Sequence, residues 1–128
     1  VREEARRWLK QAESDLELAR RLGHGHYYIG AFACHQAIEK SMKAAFIERK
    51  RAMPPKTHNL IELAKELEAP ELVLSDIRLI NPEYVVSRYP DAANGIPAEM
   101  YDERKVEFLL EVTERIWSWV ISVLTGKA

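Results

Sequence analysis

The chain has 128 residues, 47% of them hydrophobic and 30% charged, with a formal net charge of −1. That length fits one domain over residues 1–128 around a single core, and the near-neutral charge excludes a protein that coats nucleic acid by bulk positive charge, leaving room only for a local basic patch. No apolar run approaches the roughly 20 residues that span a bilayer, nothing reads as a charged-then-apolar leader, and the lone Cys34 excludes an internal disulfide, so a cytoplasmic protein without membrane contact is expected.

Residues Arg2 to Leu22 carry Ala5, Trp8, Leu9, Ala12, Leu16 and Ala19 at helical spacing, with charges between them, which predicts a first helix. Gly23-His24-Gly25 ends it, as glycine does just past a helix terminus. A second helix, apolar around most of its circumference, is expected from about Tyr27 to Arg51, with Pro54-Pro55 closing the segment. Cys34 lies on that helix and reads as a buried, inert thiol. Thr57 is the expected N-cap of a short third helix through Leu67, built on Leu60, Ile61, Ala64 and Leu67. Pro70 fits the first turn of a fourth helix to about Ile80, with Leu72, Val73, Ile77 and Ile80 facing inward. Asp102 is placed to cap a last helix that runs to Thr125. No β-alternation of useful length occurs, so the expected fold is all-α: an antiparallel up-and-down bundle of about five helices, with one long loop before the last.

That loop, Asn81 to Tyr101, is broken by Pro82, Pro90, Asn94, Gly95 and Pro97. A structureless segment of such length is uncommon in a compact domain and is usually functional. Tyr84, Arg88, Tyr89, Asp91 and Tyr101 are costly to leave mobile, so the segment should lie against the bundle, with Pro82 to Ser87 extending a helix. The last helix carries one apolar face with Val106, Leu109, Ile116 and Val120 and a second with Phe108, Val112, Trp119 and Val123. A surface helix needs only one such face. The second is covered by the long loop, by helix one or by another copy of the chain, and a homodimer is the favoured expectation.

The most informative stretch is His35-Gln36-Ala37-Ile38-Glu39-Lys40-Ser41-Met42-Lys43-Ala44 on the second helix. At about 100° per residue, His35, Gln36, Glu39, Lys40 and Lys43 fall on one strip roughly 140° wide. The i,i+4 pairs Glu39/Lys43 and Gln36/Lys40 suit a solvated face; a buried polar network and a ligand-binding surface are the other readings. The chain has no Gly-rich phosphate loop, no nucleophile elbow, no His-Glu-x-x-His and no Cys/His metal spacing, so neither metal nor cofactor is expected. His24 and His26 read as parts of a polar turn, and His58 sits at the start of the third helix, where a neutral imidazole is tolerated. Arg49, Lys50, Arg51 and Lys56 form a basic cluster that the end of the second helix explains, although it could hold a phosphate.

Three blocks, His35 to Ala44, His58-Asn59-Leu60-Ile61-Glu62-Leu63 and Ser87-Arg88-Tyr89-Pro90-Asp91, resemble the signature blocks of the HEPN family in order and separation. The opening Ala5-Arg6-Arg7-Trp8-Leu9 also fits, so the likeness covers essentially the whole chain. The resemblance implies a helical bundle, commonly dimeric, with a proposed nucleotide-binding role. It also implies pairing of small prokaryotic members with a separate minimal nucleotidyltransferase, as in toxin–antitoxin systems. Other members of the superfamily are metal-independent endoribonucleases, marked in the resemblance by an Arg followed about four to six residues on by a His. Here Tyr89, Pro90, Asp91, Ala92, Ala93 and Asn94 follow Arg88, so no catalytic residue is carried over, and only a His from elsewhere, such as His35 or His58, could substitute in space.

The expected function is therefore a non-catalytic nucleotide-binding or partner module. His35, Gln36, Glu39, Lys40, Lys43, His58, Arg88, Tyr89 and Asp91 would line its cleft, with a phosphate on Lys43 or Arg88 and a base on Tyr89. Endoribonuclease action on RNA is the alternative. A structural reading, in which Glu39, Lys40 and Arg88 form a buried ion network, stands beside both.

Overall fold

A computed structural model describes residues 1–22 and 26–127, so the expectations for Gly23-His24-Gly25 lie outside the described residues. Four long helices and one short one make the bundle: α1 (Glu3–Arg21), α2 (Tyr27–Lys50), α3 (Leu60–Glu66), α4 (Glu71–Ile80) and, at the end, α8 (Glu103–Leu124). Between α4 and α8 run three four-residue turns of helix, α5 (Glu83–Val86), α6 (Pro90–Ala93) and α7 (Pro97–Met100). The described residues contain no strand, and none of their helices is long and apolar enough to cross a membrane.

Local chemistry sets the helix ends. Glu3 and Glu4 in the first turn of α1, and Arg20 and Arg21 in its last, each meet the helix dipole with the favoured sign. Helix α2 closes on Arg51 in the left-handed conformation, φ 54°, with its N–H donating to the Ile47 carbonyl. The cap of α3 is Asn59, whose side-chain oxygen accepts from the Ile61 N–H at 3.0 Å. Thr57 is not that cap: its hydroxyl accepts from the Asn59 N–H and shapes the turn before the helix. Asn81, at the end of α4, accepts from the Leu60 N–H at 2.8 Å and so ties the start of α3 to the end of α4. Pro70 occupies the N-cap of α4, one position before the first helical residue. Asp102 caps α8 through the Lys105 N–H.

Helix α2 is the centre of the molecule. α1 and α8 pack along it, with α3, α5 and α7 filling the remaining circumference. From Gly30 to Ile47 every residue is buried except Phe32, Gln36 and Lys40. Ile38 and Met42 share one buried core with Leu60, Leu63, Ile77, Ile116 and Val120, each such side chain worth about 1.5–3 kcal/mol of transfer free energy.

The second apolar stripe of α8 is largely accounted for within the chain. Val112 and Val123 are buried and α4 lies against α8, with the Arg115 guanidinium bonded twice to the Asp76 carboxylate at 3.0 Å. α4 is thus one neighbour of α8 that the sequence did not name for this stripe. Only Phe108 of that stripe stays well exposed.

The long segment is laid down on the bundle, as its aromatic content predicted. Pro82 to Ser87 continues the helical path of α4, the Asn81 N–H donating to Ile77 and the Val86 N–H to Pro82. Glu83 is buried, and the Tyr101 hydroxyl donates to its carboxyl, clasping the two ends of the segment together. Burial holds that carboxyl above the usual carboxylate range and, with the carboxyl beside it, pushes the Tyr101 hydroxyl up as well.

Candidate functional site

Helix α2 presents His35, Glu39 and Lys43 at successive turns, and the stretch that leads into α3 lays His58 across them. His35 Nε2 stands 3.1 Å from the His58 carbonyl oxygen, which can only accept, so the proton resides on Nε2. Burial lowers the pKa of His35, outweighing Gln36, Glu39 and the His58 carbonyl, and the ring is neutral. Its Nδ1 faces Gln36 Oε1 at 3.2 Å; with the proton on Nε2 both are acceptors, and a hydrogen bond between these two side chains forms when the Gln36 amide is turned end for end.

Glu39 is the hub. One carboxylate oxygen accepts from His58 Nδ1 at 2.9 Å and the other from Lys43 Nζ at 3.1 Å, while the side chain is only 4% exposed. The His58 side chain is 52% exposed, and its Nε2 has no hydrogen-bond partner among the described residues. A carboxylate that fixes one ring nitrogen and leaves the other outward sets the tautomer and direction of an imidazole.

Tyr84 joins this cluster to Arg88. The His58 ring stacks on Tyr84 with centroids 4.0 Å apart and an interplanar angle of 13°, and the His35 ring lies 5.3 Å away. Arg88, one turn after Tyr84, donates from Nε to the Tyr84 carbonyl at 2.7 Å. Its guanidinium carbon lies 4.4 Å from the Phe32 ring, 4.4 Å from Tyr84 and 4.8 Å from Tyr89. Among the described residues no carboxylate pairs with Arg88 and no protein group accepts from its Nη atoms, which are not sealed from solvent. Aromatic faces hold this cation in place without neutralising it.

The nine residues singled out in the sequence do not all meet. His35, Gln36, Glu39, Lys43 and His58 form one cluster, and Arg88 and Tyr89 join it through Tyr84. Lys40 turns instead to α1 and pairs with Asp15 at 2.7 Å. Asp91 is exposed on α6, its carboxylate accepting from the Ala92 N–H. Lys43 is buried under the cluster, its Nζ 5.5 Å from the Trp8 ring, so it positions Glu39 and does not face a ligand. The strip is therefore not a solvated face, because α1 and the His58 segment cover most of it. Nor do Glu39, Lys40 and Arg88 form one ion network, since each has different partners.

Tyr84 and Phe32 are site residues that sequence reading passed over. Tyr84 stands at i,i+4 from Arg88 in a segment expected to be helical, a spacing that brings side chains together. Four depressions are lined by Arg49 with Trp119, by Arg20 with Tyr27, by Arg2 with Met53 and by Trp8 with Lys40, and His58 and Arg88 line none of these four. In the basic cluster, Arg49 donates to the Leu67 carbonyl at 3.0 Å. Cys34 is buried and its thiol is pushed up to about 11 by that burial, which makes it a poor nucleophile. No group of His, Cys, Asp or Glu among the described residues is placed to hold a metal.

With fold and site in view, the wider likenesses are informative. The HEPN domain profile matches residues 5–124, and the chain belongs to the HEPN domain family. The crystal structure of TT1696 from Thermus thermophilus superposes with a TM-score of 0.84 at 29% identity, covering 96% of this chain and all of that one. ST0689, described as an archaeal HEPN homologue, gives a TM-score of 0.79 at 30% identity over 94% of this chain and 97% of its own. No curated protein matches the chain.

Two outcomes follow from this geometry. The folded-state pKa of His35 lies below its unfolded value of 6.5, so the stability it contributes is present above that value and is lost as pH falls toward the folded pKa. Urea denaturation between about pH 7 and pH 5 will show stability declining with pH in the wild type, and a shallower decline in His35→Gln. Glu39→Gln leaves the Lys43 ammonium buried without its counter-charge and will cost about 3–5 kcal/mol in the same measurement, with partial recovery when Lys43→Met is added.

Proposed function

We propose that this chain is a non-catalytic nucleotide-binding module that acts with a separate nucleotidyltransferase chain. The observation that carries this is Arg88: a guanidinium held by three aromatic faces, with no acceptor for its Nη donors among the described residues and those donors not sealed from solvent. Such a donor fork suits a phosphate, and the exposed Tyr89 ring beside it suits a base. His58 Nε2, directed by Glu39, adds a hydrogen bond to sugar or base. A partner chain would enclose the ligand and supply the metal and the reacting groups. Calorimetric titration with ATP, GTP, CTP and UTP, with and without magnesium, is expected to give saturable binding to at least one nucleotide. Arg88→Ala should weaken it by about tenfold or more without loss of the folded state; absence of heat with every nucleotide removes the proposal.

Metal-independent cleavage of RNA is the alternative, and one observation favours it. The linear motif lacks a His after Arg88, yet His58 and Arg88 contact the same Tyr84 ring, and the Glu39–His58 pair leaves Nε2 free. His58 would then move the proton while Arg88 steadies the developing phosphorane charge. Incubation with varied single-stranded RNAs decides: cleavage that disappears in both His58→Ala and Arg88→Ala supports the enzyme, and an inert wild type ends that alternative.

A further inference from the structure

We infer that the depression where the ends of α2, α3 and α8 meet is a binding site for a free, zwitterionic α-amino acid with an apolar side chain. The inference is independent of the Arg88 site, because Phe32 and Arg49 lie about 25 Å apart along α2 at about 1.5 Å per residue.

Arg49 lines the depression from the last turn of α2, Leu67 and Glu68 from the end of α3, Pro70 from the start of α4, and Trp119 and Ser122 from α8. Its volume is about 380 Å³, within the range of about 300–1,000 Å³ of small-molecule sites. The two charges in its lining are both unanswered. Among the described residues neither Arg49 nor Glu68 pairs with a group of opposite charge, and they do not pair with each other. Arg49 is nonetheless held in place. One Nη donates to the Leu67 carbonyl at 3.0 Å, and the C-termini of α2 and α3 both favour a cation there. Its Nε and second Nη have no acceptor among the described residues, and such a fork meets a carboxylate with two parallel hydrogen bonds.

Glu68 stands where local preference is against it. Helix α3 ends with the Glu68 N–H donating to the Lys65 carbonyl and the Ala69 N–H to the Ala64 carbonyl, both at 3.0 Å. That closure needs a left-handed residue, here at φ 58°, and the position favours glycine. A glutamate that accepts this strain beside a depression is a candidate for function.

One cation and one anion in the same small depression define the ligand by its charges. Arg49 repels a polyamine and Glu68 repels a phosphate, whereas a zwitterion satisfies both. Ser122 Oγ gives its proton to the Trp119 carbonyl at 2.6 Å, so it is left as an acceptor for the ligand's ammonium group beside Glu68. Trp119, Leu67 and Pro70 supply the apolar surface for the side chain.

The test is calorimetric titration of the full chain with free leucine, methionine, phenylalanine and tryptophan, and with the N-acetyl and amide derivatives of each, in wild type, Arg49→Gln and Glu68→Gly. At least one free amino acid should bind saturably, and either block should weaken it about tenfold or more. Arg49→Gln should remove the preference for a free carboxylate, and Glu68→Gly the preference for a free ammonium. Glu68→Gly should also hold or raise the thermal midpoint, because glycine suits the left-handed position; a purely structural Glu68 would lower the midpoint and leave binding intact. If Arg49→Gln does not fold, Glu68→Gly decides alone. No heat with any of the four amino acids, equal binding of the blocked forms, preferences that survive the substitutions, or tighter binding of inorganic phosphate or spermidine overturns the inference.

Discussion

The buried carboxylate of Glu39 is the interaction on which the arrangement of this molecule turns. Burying a carboxylate is strongly unfavourable unless its oxygens are fully bonded, and here each has a charged or polar donor from a different direction. Lys43 answers from the next turn of the same helix, while His58 answers from the stretch before α3. The requirement fixes where the chain between α2 and α3 passes. It also orients the His58 imidazole, on which the Tyr84 ring stacks. His35, neutral and directed at the His58 carbonyl, fastens the same stretch a second time. One buried charge thus positions an exposed imidazole.

Arg88 follows a different logic from the other cations near α2. Lys40 and Lys43 each have a carboxylate, and their charge is used within the protein. Arg88 has ring faces and one backbone carbonyl instead. Quadrupoles steady a guanidinium but leave its field largely intact, so an anion approaching Arg88 meets a cation that is already oriented.

The segment between α4 and α8 holds Arg88 and its aromatic neighbours in place because it is ordered without being a long helix. Prolines interrupt it at three points, and the buried Glu83–Tyr101 clasp closes it upon itself. Tyr84, Arg88 and Tyr89 lie within that clasp, on a stretch anchored to the centre of α2 through Phe32 and His35. The scaffold beneath this stretch is the most buried helix among the described residues.

The helices were legible in the sequence by itself, and so were the inert Cys34 and the capping of α8 by Asp102, because helical periodicity, burial on an apolar helix and capping depend on residues within a turn or two of one another. Family membership was legible for a related reason, since its blocks are short runs of consecutive residues. The strip on α2 was visible as an angle, but an angle does not say what lies opposite. Only tertiary structure set α1 and the His58 stretch over that strip, burying His35, Glu39 and Lys43 and leaving Phe32, Gln36 and Lys40 at the surface. It also gave Lys40 to Asp15, placed Tyr84 between His58 and Arg88, set α4 against α8, and chose Asn59 over Thr57 as a cap. Most of these choices pair groups far apart in the chain, or settle which of two neighbouring residues meets a helix end, and the packing of whole helices decides them where local pattern cannot.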